Sequence, residues 1–323
     1  MPRVVQVRSG AADRFGTDRF EANRNRLASL AYRLLGDAGD AEDIVQDAFL
    51  HWEAADRKLI KVPEAWLTKV VTNLCLDRLR SARHRRERTS GTWLPEPLLE
   101  GDPLLGPEDT YQQRESVSLA VLTLMERLSP VERAVYVLRE AFSYTHAEIA
   151  DLTDISPSAS QQHLHRARVR IAASRRRTDD VDPASARRVV EEFLSAAASG
   201  RTEPLVALLT EDATAVSDGA GLTKRLLNYP VPQRIAAVAR ANFHPTAASR
   251  VFAGEAPTAH HTQINGTAAV VFVLTDQVVG SVAFDLVAGK IATIYGVAAP
   301  SRLHRLREGW RLHRPEAPPI PHW

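Results

Sequence analysis

Three groups of side chains in this sequence are spaced for binding. Asp40, Asp43 and Asp47 recur at helical intervals, and Ile44, Val45, Ala48, Phe49 and Trp52 fall on the opposite face. A carboxylate stripe of this kind can dock on a basic protein surface, or it can simply be a solvated face. Farther on, between Glu64 and His84, Leu67, Val70, Val71 and Leu74 point one way on a helical wheel; Trp66, Lys69, Asn73, Asp77, Arg80 and Arg83 point the other. An exposed indole beside an amide and several cations suits stacking on unpaired bases and holding phosphates. A half-exposed core tryptophan beside an ordinary charged surface would give the same pattern. The third group follows Pro157, where Ser160, Leu164, Ala167 and Ile171 make an inward stripe that leaves Ser158, Gln161, Gln162 and His165 outward. Serine and glutamine near a helix start can bond base edges in a major groove, and Arg166 and Arg168 downstream can neutralise phosphates. An amphipathic helix in a generic bundle is the alternative, and Ser160 sits where valine would pack better.

Bond-making chemistry has weaker support. Asp218, His244, His260, His261 and Asp285 are acid–base candidates, but no spacing among them specifies a reaction or a metal site. The single cysteine, Cys75, lies in the apolar pattern Val70, Val71, Leu74, Cys75, so it reads as a core residue and can form no internal disulfide. Neither a cofactor nor a metal is expected.

The elements that must position these groups are mostly helices. Ser129-Pro130-Val131-Glu132 and Thr145-His146-Ala147-Glu148 are capping boxes, each opening a helix. The second starts a short helix over His146 to Asp151; a turn through Thr153 to Ser156 then leads to Pro157, which spells a helix-turn-helix. Residues 20–88 read as helices broken at Gly36 to Gly39 and around Lys58 to Pro63. Residues 89–113 collect prolines, glycines and acids and read as a linker. Two basic segments flank it: residues 78–88 with six arginines against Glu87, and residues 166–177 with six arginines and no acid. After Asp179 to Pro183 the pattern shifts to helical Ala184 to Ser199 and Glu203 to Thr210. Strand-like Ala268 to Leu274, Val278 to Leu286 and Ile291 to Val297 follow, with turns at Asn265-Gly266 and Gly289. Residues 1–19 and 315–323 read as tails. The 323 residues therefore divide into two all-α units, 20–88 and 114–178, followed by an α+β unit over 183–314. The longest purely apolar run, Ala268 to Leu274, is too short for a membrane span and the N-terminus has no signal pattern, so a cytoplasmic protein without a membrane partner is expected.

Several motifs in order resemble the extracytoplasmic-function sigma factors. Residues 27–88 look like region 2 of that family, with Asp40-Ala41-Glu42-Asp43-Ile44-Val45-Gln46-Asp47-Ala48-Phe49 matching its polymerase-docking helix. Ala65-Trp66-Leu67, Asn73-Leu74 and Asp77-Arg78-Leu79-Arg80 match the helix that melts and reads the promoter −10 element. Residues 115–175 look like region 4, the −35 reader, through Leu128-Ser129-Pro130-Val131-Glu132-Arg133, Glu148-Ile149-Ala150 and His165-Arg166-Ala167-Arg168. Trp93-Leu94-Pro95 resembles the WLP motif of members fused to a SnoaL-like domain. Ser217-Asp218-Gly219-Ala220-Gly221 resembles their DGGGK loop, with Ala220 in place of a glycine and Lys224 displaced, and Pro300-Ser301-Arg302-Leu303 approximates their NPDKL motif.

The resemblance implies a sigma factor rather than an enzyme, ending in a SnoaL-like cone. Its partners would be the β′ clamp of core RNA polymerase, met by Asp40, Glu42, Asp43, Gln46 and Asp47, and promoter DNA. The nucleoid would be its location while bound to polymerase. The resemblance further implies that the cone grips the linker, with Trp93, Leu94 and Pro95 meeting Asp218, Gly219, Gly221 and Arg302. A small-molecule ligand in the cone, a cyclase- or isomerase-like activity there, and a polymerase-independent helix-turn-helix regulator are the rival expectations.

Overall fold

The structure, a computed structural model, describes residues 10–88, 94–106, 111–174, 182–222, 226–243, 257–312 and 319–320. Trp93, Lys224 and His244 lie outside them, as does the side chain of Arg83.

The first unit is built from α1 (Gly10–Leu35), α2 (Ala38–Ala54) and α3 (Pro63–Arg88). Asp37 caps α2, its carboxylate accepting the Asp40 N–H at 2.9 Å. Helix α1 begins ten residues before the sequence pattern suggests. Propagation back from the packed Phe20 end adds a hydrogen bond per residue and needs no apolar stripe, so periodicity could not reveal it. The second unit comprises α4 (Tyr111–Glu115), α5 (Leu119–Met125), α6 (Pro130–Glu140), α7 (His146–Thr153) and α8 (Pro157–Ser174). Both capping boxes form as read, at Ser129/Glu132 and Thr145/Glu148. Buried Ser160 is satisfied: its hydroxyl lies 2.9 Å from Nδ1 of His146, which ties α8 to the start of α7.

These two helical units share one apolar core running from Phe20 through Trp52, Leu67 and Tyr136 to Ile171. The third unit opens with α9 (Pro183–Ala198) and α10 (Thr202–Ala207), then β1 (Leu209–Ser217), β2 (Leu227–Tyr229) and α11 (Pro232–Phe243). It continues through β3 (Thr258–Ile264), β4 (Thr267–Leu274), β5 (Gln277–Val287) and β6 (Lys290–Val297) to α12 (His304–Leu312). The expected helix Glu203 to Thr210 is cut short, because Leu209 already pairs with Ile291 in the sheet. Among the described residues the sheet order is β2-β1-β6-β5-β4-β3, antiparallel except for β1 beside β6.

Both sheet faces are covered. Helices α9 and α11 pack on one through Phe193, Ile235 and Phe284. On the other face, Leu94 and Leu99 of the linker, Leu119 of α5, and Leu306 and Trp310 of α12 meet Val271, Val273 and Val297. By composition the linker is a polar spacer, yet Leu94 to Leu99 are buried throughout. Backbone pairing accounts for part of this, since Leu99 bridges Ile264 and the Glu100 N–H donates to the Gln263 carbonyl at 3.2 Å, extending the sheet at its β3 edge.

Candidate functional site

On α2 the helix geometry turns Glu42, Asp43, Gln46 and Asp47 to solvent and leaves Asp40 half-buried. Arg78 of α3 bonds Asp40 and lies 3.6 Å from Asp43, and hydrogen bonding to Asp40 raises the guanidinium pKa further. Glu42 has a partner from the far end of the chain: Nη1 of Arg305, on α12, donates to it at 2.8 Å.

The α3 surface is less open than its sequence suggests. Trp66 is half-buried, its ring 5.7 Å from that of Trp52, because the first unit closes over one side of the indole. Lys69 Nζ donates to the Asp151 carbonyl and to Asp154 Oδ1, both at 2.7 Å. Asp154 closes α7 in the left-handed conformation, φ 54°, within the helix-turn-helix. Farther along α3, Asn73 is partly covered, and exposed Asp77 and Arg80 pair at 3.0 Å. Arg26 adds another tie between the units, donating to the Tyr144 hydroxyl at 2.9 Å and to Thr68 at 2.7 Å. Lys69→Ala should therefore loosen α7 from α3 by less than about 1 kcal/mol, since both ends of the pair meet water. Faster amide exchange confined to α7 and the turn after it is the measurement.

Helix α8 presents Ser158, Gln161, Gln162 and His165 to solvent together. Its arginines are already held by acids of α6: Arg166 Nε meets Glu132 at 2.9 Å, Arg170 also bonds Glu132, and Arg168 reaches Glu140 at 2.6 Å. Burial alone would raise the Glu132 pKa, but the Ser129 N–H, Arg166 and Arg170 outweigh it and hold it below the ordinary carboxylate value. Because the folded-state pKa is depressed, the stabilisation is complete above the unfolded value near ~4.3 and is lost as pH falls through the folded one. Thermal melts of wild type and Glu132→Gln should accordingly differ at neutral pH and converge in acid.

The cone meets the helical units at a seam centred on Asn265, which is 1% exposed at the tip of the β3–β4 hairpin. Its φ of 52° is one that asparagine tolerates, and Gly266 completes the turn. The side-chain amide is used at both ends. Nδ2 donates to the Tyr32 hydroxyl of α1 and to the Val117 carbonyl before α5, each at 2.8 Å, while Oδ1 accepts the Leu98 N–H of the linker at 2.9 Å. Its own N–H returns to the Leu98 carbonyl at 3.0 Å. Tyr32 in turn donates to the Glu96 carbonyl at 2.8 Å.

Further bonds join linker and cone. Arg302 donates to the Leu94 carbonyl, and Arg305 Nε reaches Asp102 at 2.8 Å. The buried Glu96 carboxylate accepts from the Ala38 and Arg305 N–H groups; burial keeps its pKa raised despite them. Pro95 is buried beside Leu94. Asp218, by contrast, turns into its own domain, accepting from Ala220, Ala298 and Ala299 N–H groups at 2.9–3.1 Å and so closing the loop through Gly219 and Gly221. Nothing local in the sequence marks Asn265, Arg305, Tyr32 or Glu96 as partners; the Asn-Gly pair announces a turn and says nothing of what its amide meets.

Among the described acid–base candidates, Asp218, His260 and His261 have separate partners. His261 faces Glu191 at 3.1 Å, and burial, then Arg187, lowers its pKa; His260 lies edge-on to Trp310 at 5.2 Å. No group of three or more potential ligands among the described residues could hold a metal, and no described helix is long and apolar enough to cross a membrane.

A helix with an exposed acidic face, a helix carrying tryptophan and cations, and a capped helix-turn-helix are the parts expected of a promoter-recognition subunit. Residues 19–85 match the Sigma-70 region 2 model and residues 118–171 the Sigma-70, region 4 model. The chain is 32% identical over 293 residues to the probable ECF RNA polymerase sigma factor SigI of Mycobacterium tuberculosis, covering 89% of this chain and 94% of that one. It is 42% identical over 203 residues to ECF RNA polymerase sigma factor SigJ of the same organism, a match spanning 62% of this chain and just under two thirds, 64%, of the relative. The crystal structure of M. tuberculosis SigJ superposes with a TM-score of 0.67 at 28% identity, covering 90% of this chain and 98% of that one. This chain belongs to the extracytoplasmic-function RNA polymerase sigma factors. It directs transcription initiation, with RNA polymerase core and promoter DNA as its partners.

Proposed function

We propose that the C-terminal cone controls this sigma factor in cis by holding it closed, and that the Asn265 amide is the centre of that control. The −10 and −35 elements lie about 25 base pairs apart, roughly 85 Å of duplex at 3.4 Å per step. Lys69 on the −10 helix and Asp154 in the −35 reader are 2.7 Å apart. With the two readers in contact, spreading them over both elements would require the units to separate. Asn265, which bonds the first unit, the linker and the second unit at once, opposes that separation.

In the open complex, Asp40, Glu42, Asp43, Gln46 and Asp47 would meet the β′ clamp. Trp66, Lys69, Asn73, Asp77, Arg80 and Arg83 would hold the melted −10 strand, with Ser158, Gln161, Gln162, His165, Arg166 and Arg168 on the −35 duplex. Arg166 and Arg168 would then exchange Glu132 and Glu140 for phosphates. The exchange trades one charged partner for another, so their ion pairs in the closed form are compatible with DNA contact. Glu42 would likewise have to leave Arg305 to reach polymerase, which places the cone in competition with docking. These interactions would occur in the cytoplasm and on the nucleoid.

The test is promoter-specific transcription with purified core polymerase by the full chain and by a chain ending at Asp182. Different output or different promoter choice is expected. Identical activity on every promoter, from a truncated chain that keeps its helical signature, would remove the cone from regulation.

A further inference from the structure

Asparagine followed by glycine is a chemically fragile pair, because the glycine nitrogen can reach back to the asparagine side chain with no Cβ in the way. Asn23, Asn25, Asn73, Asn228 and Asn242 precede arginine, leucine, tyrosine or phenylalanine; Asn265 alone precedes glycine. That pair is also the hairpin tip that bonds the linker and both helical units. We propose that Asn265-Gly266 is a deamidation site gated by the seam: closure protects the amide, opening exposes it, and loss of the amide as ammonia fixes the lock open.

The reaction needs only water. Solvent base takes the proton of the Gly266 N–H, and the nitrogen's electron pair bonds to Asn265 Cγ. The Cγ–Nδ2 bond breaks, its electrons stay with the nitrogen, and a proton from water completes the departing ammonia. Water then adds to either carbonyl of the cyclic imide and breaks that carbon's bond to the ring nitrogen, leaving aspartate or isoaspartate. Water is consumed, ammonia is released, and nothing is oxidised or reduced.

Geometry decides when this can happen. Attack requires the side chain to swing until Cγ lies over the Gly266 nitrogen. In the closed form the amide is held elsewhere, donating to the Tyr32 hydroxyl and the Val117 carbonyl at 2.8 Å and accepting the Leu98 N–H at 2.9 Å. It is 1% exposed, so the water that must protonate the leaving nitrogen is kept out as well. Gly266 is exposed, and nothing lies within 4 Å of where a Cβ would stand. The protection therefore comes from the contacts that opening removes. After the reaction those contacts cannot re-form, since a carboxylate at position 265 meets the Val117 carbonyl with no hydrogen between them. Isoaspartate also reroutes the backbone through the former side chain. The effect on switching rests on the regulatory reading above, whereas the protection rests on the seam alone.

The test incubates the full chain at mildly alkaline pH in three states: free, unfolded in urea, and bound to core polymerase on promoter DNA. Mass and isoaspartate content of the peptide spanning residue 265 give the conversion. It should be about tenfold to a thousandfold slower in the free chain than in urea, as for a reaction passing through a minor open state, and should accelerate in the polymerase complex. Peptides carrying Asn73, Asn228 and Asn242 are the internal controls and should stay intact in that complex. Gly266→Ala, whose added Cβ meets nothing, should slow conversion in urea and in the complex alike. Aged wild type should drift toward the transcription of the chain ending at Asp182, aged Gly266→Ala should match its own fresh sample, and Asn265→Asp should show the drifted output from the start. Equal conversion in the free chain and in urea would overturn the protection. No acceleration by polymerase, or wild-type transcription by an Asn265→Asp protein that keeps its helical signature, would overturn the switch. If truncation at Asp182 leaves transcription unchanged, the regulatory reading fails by itself, and the ratio of free to unfolded conversion still decides the protection.

Discussion

Asn265→Ala should release the closed form. The substitution leaves the Leu98 N–H and the Val117 carbonyl without their partner inside a buried seam and takes one of two bonds from the Tyr32 hydroxyl. At 1–3 kcal/mol for each buried group left unpaired, the cost to the interface is about 3 kcal/mol. Because these bonds join the cone to the linker and the helical units rather than complete any one of them, the loss should appear as loosening of the seam rather than unfolding. Helical content should be kept, while the exchange protection of Leu98 falls. Transcription with core polymerase should shift toward that of the chain ending at Asp182. An Asn265→Ala protein that transcribes like wild type would show that the seam does not limit opening.

Gly106→Ala should be the most damaging single substitution in the linker. Gly106 has φ +68°, and a Cβ there would stand 2.7 Å from Ser29 Cβ and 3.0 Å from Arg33 Nη1. Ser29 and Arg33 are themselves fully buried, and Arg33 is engaged by Ser116 and the Gln113 carbonyl. The methyl group therefore meets atoms that cannot retreat, and the left-handed backbone adds strain. Together these should cost about 2–4 kcal/mol, read as a lowered denaturation midpoint. Gly101→Ala is the control, because its φ is +83° but nothing lies within 4 Å of the added Cβ. It should lose only the conformational share.

What the sequence disclosed and what it hid divide along contact distance. Capping boxes, the helix-turn-helix and the faces of α2 and α8 are written in residues three or four apart, so periodicity and turn chemistry expose them directly. Ser160 looked like a packing fault until His146, fourteen residues away, supplied its partner. The seam is invisible for the same physical reason. Tyr32 meets Asn265 across 233 residues, and Arg305 meets Glu42 across 263, with no local pattern to mark either. Trp66 falls between these cases. Its position on the wheel was legible; its shielding by Trp52 depended on how α2 folds back over α3. The linker misled through composition, since prolines and acids suggest a solvated spacer. Here Glu96 can be buried because hydrogen bonds from the Ala38 and Arg305 N–H groups satisfy its carboxylate, and Pro95 is buried beside it.

The 233-residue span between Tyr32 and Asn265 also bears on how the molecule is born. A ribosome completes both DNA-reading units well before it reaches the hairpin whose Asn265 bonds them. With about 90 residues still to add at roughly 5–20 residues per second, the newborn chain spends between about 5 and 20 seconds without its lock. On the proposed closed form, each molecule would pass once through a brief, unrestrained youth, and polymerase able to capture nascent chains would meet a sigma factor whose cone has not yet been made.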